Sequence, residues 1–288
     1  MAGELRMPKH LLERAKQLAQ DKKDGRVPPA LRAAATVVMV SDSPDGLRVY
    51  LQRRVPTMAF AAGMYVFPGG AVEPADEQAS AELFQTAPPD SIHSDSLRVG
   101  SDALGYDTLA ARFAAVRETA EETSYDIGDP LELKYVGHWA TPEVEDRRYD
   151  TRFYAVAVTT ESQVVENSGE SDADRWVTPL QALKESRSGE MKMLPPTVAT
   201  LAAFADMAKQ GFGAQEAIEQ IGARPVIPLM PAAVAAPEEP GGIAWALLDV
   251  RTNTEVARLA SPPAGSEVEG SRSGEADSAS GADPEAAQ

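Results

Sequence analysis

The chain contains no cysteine. That excludes disulfide staples, thiolate nucleophiles and cysteine-ligated metals, and it fits an intracellular, cytoplasmic protein. Histidine is scarce: His10, His93 and His138 lie far apart, so no histidine pair has metal-ligand spacing. His138, in an apparent strand beside Trp139, reads as a packed or hydrogen-bonded residue. Positive charge is also short, with 27 Lys and Arg against 44 Asp and Glu and a net charge of −17. Such a chain is expected to bind neither nucleic acid nor a membrane surface. No apolar run approaches a membrane span. The N-terminus, with Glu4 and Glu13, lacks the unbroken apolar stretch of a secretory signal, and Glu285-Ala286-Ala287-Gln288 is not a peroxisomal address. There is no Gly-Lys-Ser/Thr phosphate loop. Gly211-Phe212-Gly213 has neither a preceding strand nor a third glycine for a dinucleotide fingerprint. No internal repeat is found.

What is present is enough apolar material for a core, 43% of 288 residues, and a concentration of acid on one expected helix. Arg117-Glu118-Thr119-Ala120-Glu121-Glu122 sets Glu118 three positions from Glu121 and four from Glu122, so the three carboxylates crowd toward one face. Like charges at that spacing repel unless a cation sits among them. Hard divalent ions such as Mg²⁺ and Mn²⁺ take oxygen ligands and suit the cluster. The plainer alternative is a solvated acidic face with Arg117 as its counter-ion.

Upstream, Met64 to Phe67 reads as a short strand leading into Pro68-Gly69-Gly70-Ala71-Val72-Glu73-Pro74-Ala75-Asp76. Pro68 restricts φ, and the two glycines permit a tight loop that lets backbone approach a ligand. Together the loop and the acidic helix resemble the signature of the Nudix hydrolases, Gly-x5-Glu-x7-Arg-Glu-U-x-Glu-Glu-x-Gly-U, where U is aliphatic. Gly70 fits the first glycine, Asp76 falls at the first glutamate, and Arg117, Glu118, Glu121 and Glu122 fit the second half. The chain departs from the pattern in several ways, among them Tyr125 at the last aliphatic position. Residues 77 to 116 separate the halves, Asp76 replaces Glu, Thr119 stands at an aliphatic position, and Ser124 replaces the last glycine. A branch that includes peroxisomal coenzyme A diphosphatases carries an insertion at the same place. The chain is similar to it also in Leu51-Gln52-Arg53-Arg54 and in Thr141-Pro142 followed by Arg147 to Tyr154. The resemblance spans roughly residues 30 to 210.

The resemblance implies an α/β (α+β) fold, an α/β/α sandwich with a mixed sheet. It also implies metal-dependent hydrolysis of a nucleoside diphosphate linked to another moiety. Glu121 and Glu122 are then expected as direct ligands of Mg²⁺ or Mn²⁺, and Glu118 as ligand or general base. Arg117 would orient a glutamate, and the Gly70 carbonyl and Asp76 would complete the metal site. Glu143 and Glu170 are further candidates for the base. A coenzyme A-type substrate would need extra arginines for phosphate, for which Arg53, Arg54 and Arg148 are expected, with Arg147 and Arg152 nearby. The arginines could equally pair with the abundant acids. ADP-ribose, a dinucleotide or a damaged nucleotide are alternative substrates, and a non-catalytic binding or regulatory module is an alternative of another class. A small nucleotide-type diphosphate is the expected partner, and a homodimer is allowed.

Along the chain, residues 1–29 are expected to hold an amphipathic helix (8–22, with Leu11, Leu12, Ala15, Leu18 and Ala19 on one face) and a linker. The catalytic domain is expected over 30–255 and a disordered acidic tail over 256–288. Within the domain, strands are predicted at 33–40, 47–54, 133–140, 152–159 and 243–250, with a hairpin turn over 41–46. Helices are predicted at 108–124, from Pro179, at 196–209 and at 214–221. Residues 77–106 read as a surface insertion with a short helix near 79–84. Residues 161–174 read as an acidic loop, and 225–240 as irregular.

Overall fold

The computed structural model describes residues 7, 11, 14–18, 25, 27–58, 60–86, 108–165, 168–237 and 243–259. In order, the chain forms β1 (Leu31–Ser43), β2 (Gly46–Arg54), β3 (Tyr65–Val66) and β4 (Gly69–Ala71), then α1 (Pro74–Thr86) and α2 (Thr108–Thr123). There follow β5 (Lys134–Ala140), β6 (Arg148–Ala157), β7 (Ser171–Val177), α3 (Pro179–Ser188), α4 (Pro195–Lys209) and α5 (Ala214–Gly222). The last elements are β8 (Leu229–Ala235), β9 (Ile243–Asp249) and β10 (Thr254–Arg258). Leu11 and residues 14–18 are helical.

One mixed sheet runs β10-β9-β8-β5-β6-β1-β2-β3, with β4 paired to β1 and β7 to β2. β1 and β6 are parallel in register from Leu31↔Arg148 to Val40↔Ala157, and β1 and β2 form an antiparallel hairpin. β1 is buried on both faces, which explains its unbroken apolar run rather than an alternating one. Val37 and Met39 point into one cluster with Tyr50, Tyr154 and the α2 residues Ala111, Ala114 and Ala115. Val38 and Val40 point into the other, with Leu201, Phe204 and Ala205 of α4 and Ala217 and Ile218 of α5. This is the expected α/β/α sandwich with a mixed sheet. Among the described residues no helix is long and apolar enough to cross a membrane.

Several elements differ from the expectation. The insertion begins as a regular helix, α1, that starts at Pro74 and carries Asp76 in its first turn; residues 87–107 lie outside the described residues. The expected acidic loop holds a strand, β7, because β2 supplies a partner for its backbone from Val49↔Val177 to Arg54↔Ser171. The stretch expected to be irregular holds β8, which pairs with β9 from Leu229↔Asp249 to Ala235↔Ile243. The hairpin turn is tighter than predicted, because β1 extends to Ser43 and β2 starts at Gly46. β10 runs through the 255/256 boundary, and Leu259 is buried; residues 260–288 lie outside the described residues. His10, His93, Leu12 and Ala19 also lie outside them.

Candidate active site

β2 pairs with β1 only as far as Val49, and β4 takes its place on β1 through Ala34↔Ala71, Ala35↔Gly70 and Thr36↔Gly69. The Pro68 carbonyl is held there by the Val37 N–H (2.9 Å) and the Thr36 hydroxyl (2.7 Å). Gly69 adopts φ +151°, and a Cβ on it would run into the backbone of Ala35 and Thr36. A Cβ on Gly70 would run into the Glu118 carboxylate. The two glycines therefore do different things. Gly69 lets the loop close onto β1, and Gly70 leaves room for a carboxylate to lie against the backbone.

The helix α2 reaches this loop because its sheet-facing side is mostly alanine, which brings its last turns close to β4. Thr119, at the position expected to be aliphatic, is fully buried and donates its hydroxyl to the Ala115 carbonyl at 2.7 Å, so its polarity is satisfied inside the helix. Ser124 follows the last turn at φ +56°, the left-handed conformation in which glycine is favoured.

A cavity of about 410 Å³ opens over this junction, and Glu118, Glu122, Gly69, Gly70, Arg54 and Glu170 are among its lining residues. Glu122 is 3% exposed, and its Oε2 accepts from Gln52 Nε2 (2.6 Å) and from the Gly69 N–H (3.0 Å). Burial pushes its pKa up to about 7 in spite of those two bonds and of Arg54, which oppose the rise; neighbouring Glu118 adds to it. Glu118 is also raised, chiefly by burial, with Arg117 opposing and Glu121 and Glu170 reinforcing the rise. Glu122 is thus buried without an ion-pair partner among the described residues, while half-buried Glu118 beside it pairs with Arg117.

Arg117 braces the arrangement. It forms a two-pronged pair with Asp76 (Nη2 to Oδ2 2.9 Å, Nε to Oδ1 3.2 Å) and donates to the Ala71 carbonyl (3.1 Å), Glu118 (2.9 Å) and Glu121 (3.4 Å). Its pKa is raised, most of all by the hydrogen bond to Asp76. Asp76 also accepts the Glu73 N–H at 2.8 Å, so both its oxygens are engaged away from the cavity lining.

The predicted residues therefore separate. Glu118, Glu122 and Gly70 meet at the cavity with Arg54, whereas Glu121 has a side chain 60% exposed and does not line it. Among the described residues no three His, Asp or Glu side chains stand close enough to hold a metal unaided. Arg53 faces away and pairs with Asp172 at 2.6 Å. Arg148 is buried, clamping the carbonyls of Pro29 (2.9 Å) and Thr141 (3.2 Å), and Arg147 is exposed. Arg152 is fully buried against Asp150, which also meets His138 at 2.6 Å. Of the base candidates, Glu170 lines the cavity and Glu143 lines a neighbouring one. Gln52 belongs to no charge cluster in the sequence, and strand alternation alone puts it on one face with Tyr50 and Arg54.

The donor set fits a hard divalent ion. Glu118 and Glu122 supply carboxylate oxygens at the cavity, Glu122 without an ion-pair partner among the described residues, and the buried Gln52 Oε1 has no hydrogen-bond partner. Mg²⁺ is commonly held by one or two carboxylates plus substrate phosphate oxygens rather than by a complete protein cage.

No family model matches the chain. It is 26% identical over 184 residues to a Caenorhabditis elegans protein named "Putative nudix hydrolase 7", a match covering 60% of this chain and 60% of the relative's length. It also superposes on the crystal structure of a NUDIX hydrolase from Alicyclobacillus acidocaldarius with TM-score 0.53 and 24% identity, over 68% of this chain and 99% of that one. The chain has the Nudix fold.

Proposed function

We propose that this chain is a Nudix-type hydrolase that cleaves the diphosphate of a nucleoside diphosphate linked to another moiety. The observation that carries the proposal is the pair of carboxylates, buried Glu122 and half-buried Glu118, lying against the Gly69-Gly70 backbone at one cavity, with Arg117 bonded to Glu118 alone of the two. In this reading Glu118, Glu122 and the Gly70 carbonyl hold Mg²⁺ or Mn²⁺. Glu121 joins them only by rotating away from Arg117. The bound ion supplies neutralisation of the charge that develops on the diphosphate. The protein's own task is to position the reactants. A water oxygen forms its bond to phosphorus as the bridging P–O bond breaks, the bridging oxygen leaves on the second phosphate, and a carboxylate takes the water proton. Of the carboxylates expected as the base, Glu118 and Glu170 line the cavity, and Glu170 is the one left to receive the proton while Glu118 holds the ion. Arg117, locked by Asp76, keeps Glu118 in place, and Asp76 is a positioning residue rather than a ligand. Thr119 and Ser124 leave the helix intact, and all three helix glutamates are present, which favours an enzyme over a lapsed binding module.

A coenzyme A or thioester substrate is the finer proposal. Of the arginines expected to serve it, Arg54 is the one that lines the cavity, where it lies 3.8 Å from Glu170. The test is incubation with coenzyme A, ADP-ribose and dinucleotides in the presence of Mg²⁺ or Mn²⁺, read by mass spectrometry. Release of 3′,5′-ADP from coenzyme A supports the finer proposal, and its absence beside cleavage of another compound removes it. Wild-type turnover by Glu122→Gln refutes the metal assignment.

A further inference from the structure

Most of the cavity is walled by the sheet, its loops, α2 and the start of α4, but one part is not. Met7 and Leu11 line it from the N-terminal segment. Both are 4% exposed, and they pack in the same buried cluster as Trp139 and Phe153, which line the cavity too. Leu11, Ala15 and Leu18, all helical and spaced by four and three, turn one face toward the core, and Met7 lies beside it outside the helical residues. That face is pinned by Arg14, which reaches Glu145 at 3.2 Å and Asp146 at 2.8 Å on the β5–β6 connection. Glu145 itself lines the cavity. The N-terminal segment thus belongs to the cavity without belonging to the sheet.

We infer that this face selects the substrate. Met7 and Leu11 are specificity-determining residues that set the size of an alkyl or aryl group carried on the diphosphate, and Arg14 positions them through Glu145 and Asp146. The inference rests on the proposed reaction for its substrate but not for its wall. With the diphosphate at Glu118 and Glu122, a group attached to it extends into the rest of the cavity. There it meets Met7, Leu11, Trp139 and Phe153, a surface that rewards apolar contact. An apolar contact of one methylene is worth roughly 1 kcal/mol, or several-fold in affinity.

The experiment compares ADP β-methyl ester with ADP β-octyl ester in the full chain with Mg²⁺. Leu11→Trp is expected to lower the octyl-to-methyl ratio of kcat/KM at least tenfold, mainly through KM. Leu11→Ala and Met7→Ala are expected to shift that ratio the opposite way by at least threefold. Changes by the same factor for both esters, with the ratio within twofold of wild type in every variant, overturn the inference. Should Leu11→Trp fail to fold, the two alanine variants decide. Methylene-bridged analogues of the same esters, which cannot be cut, are measured in parallel by calorimetry. A shifted binding ratio without hydrolysis of either ester sinks the proposed reaction and leaves the wall standing; hydrolysis with an unshifted ratio does the reverse.

Discussion

Replacing Glu122 by Gln should stabilise the metal-free protein at alkaline pH, and the size of the gain follows from its surroundings. Burial raises this carboxyl from 4.5 to about 7 in the folded chain. For an acid raised on folding, the folded state binds the proton more tightly than the unfolded state does. The cost of holding the charge is therefore absent below about 4.5, grows through the interval and is complete above about 7. At 1.36 kcal/mol per unit the full cost is about 3 kcal/mol, of which about 1 kcal/mol is already present at pH 5. Glutamine keeps an oxygen to accept from Gln52 and the Gly69 N–H while shedding the charge. In EDTA the variant should exceed wild type by about 2–3 kcal/mol at pH 8, or roughly 5–10 °C in melting temperature. At pH 5 the difference should shrink to about 1 kcal/mol or less. Denaturation of both proteins at the two pH values measures it. Adding Mg²⁺ should raise the wild type and not the variant. A variant no more stable than wild type at pH 8 would refute the claim that Glu122 is a strained, uncompensated charge.

The two glycines of β4 should respond in opposite ways. Gly69→Ala meets the backbone of Ala35 and Thr36 and should cost several kcal/mol of stability, whereas Gly70→Ala displaces only the Glu118 carboxylate. It should therefore unfold within about 1 kcal/mol of wild type while losing most of kcat; equal destabilisation of the two variants would contradict the distinction. Ser124→Gly should relieve the left-handed conformation and raise stability by up to about 1 kcal/mol in urea unfolding, against which any loss of stability would count. Asp150→Ala removes the carboxylate that meets both His138 and the buried Arg152, and should lower stability by about 3–5 kcal/mol. Little change in the denaturation midpoint would show that the buried arginine is neutralised elsewhere.

Local pattern revealed much of the scaffold. The apolar run of β1, the helix starting at Pro179, and the helices α4 and α5 are set by residues within a turn or two of one another, so their spacing survives in the one-dimensional chain. β7 and β8 were hidden for one shared reason. An acidic segment and a Pro-Ala segment have little strand propensity of their own, and each extends because a neighbouring strand offers backbone partners. The site divides in the same way. Helical spacing brought out Glu118, Glu121 and Glu122 together, but it does not say which of them enters the cavity.

The amino acids in order were enough to announce an acidic helix and a Gly-Gly loop before it, because each depends on neighbours in the chain, whereas the α/β/α frame was implied by the family resemblance those two motifs carry. Folding alone decided that Glu121 stays in solvent and that Asp76 engages Arg117 across 41 residues. It likewise decided that Gln52 reaches Glu122 across 70 and that Met7 and Leu11 close a cavity built elsewhere. The reason is physical: periodicity is a short-range property of backbone geometry, while the charge environment of a side chain is set by whatever packing brings beside it.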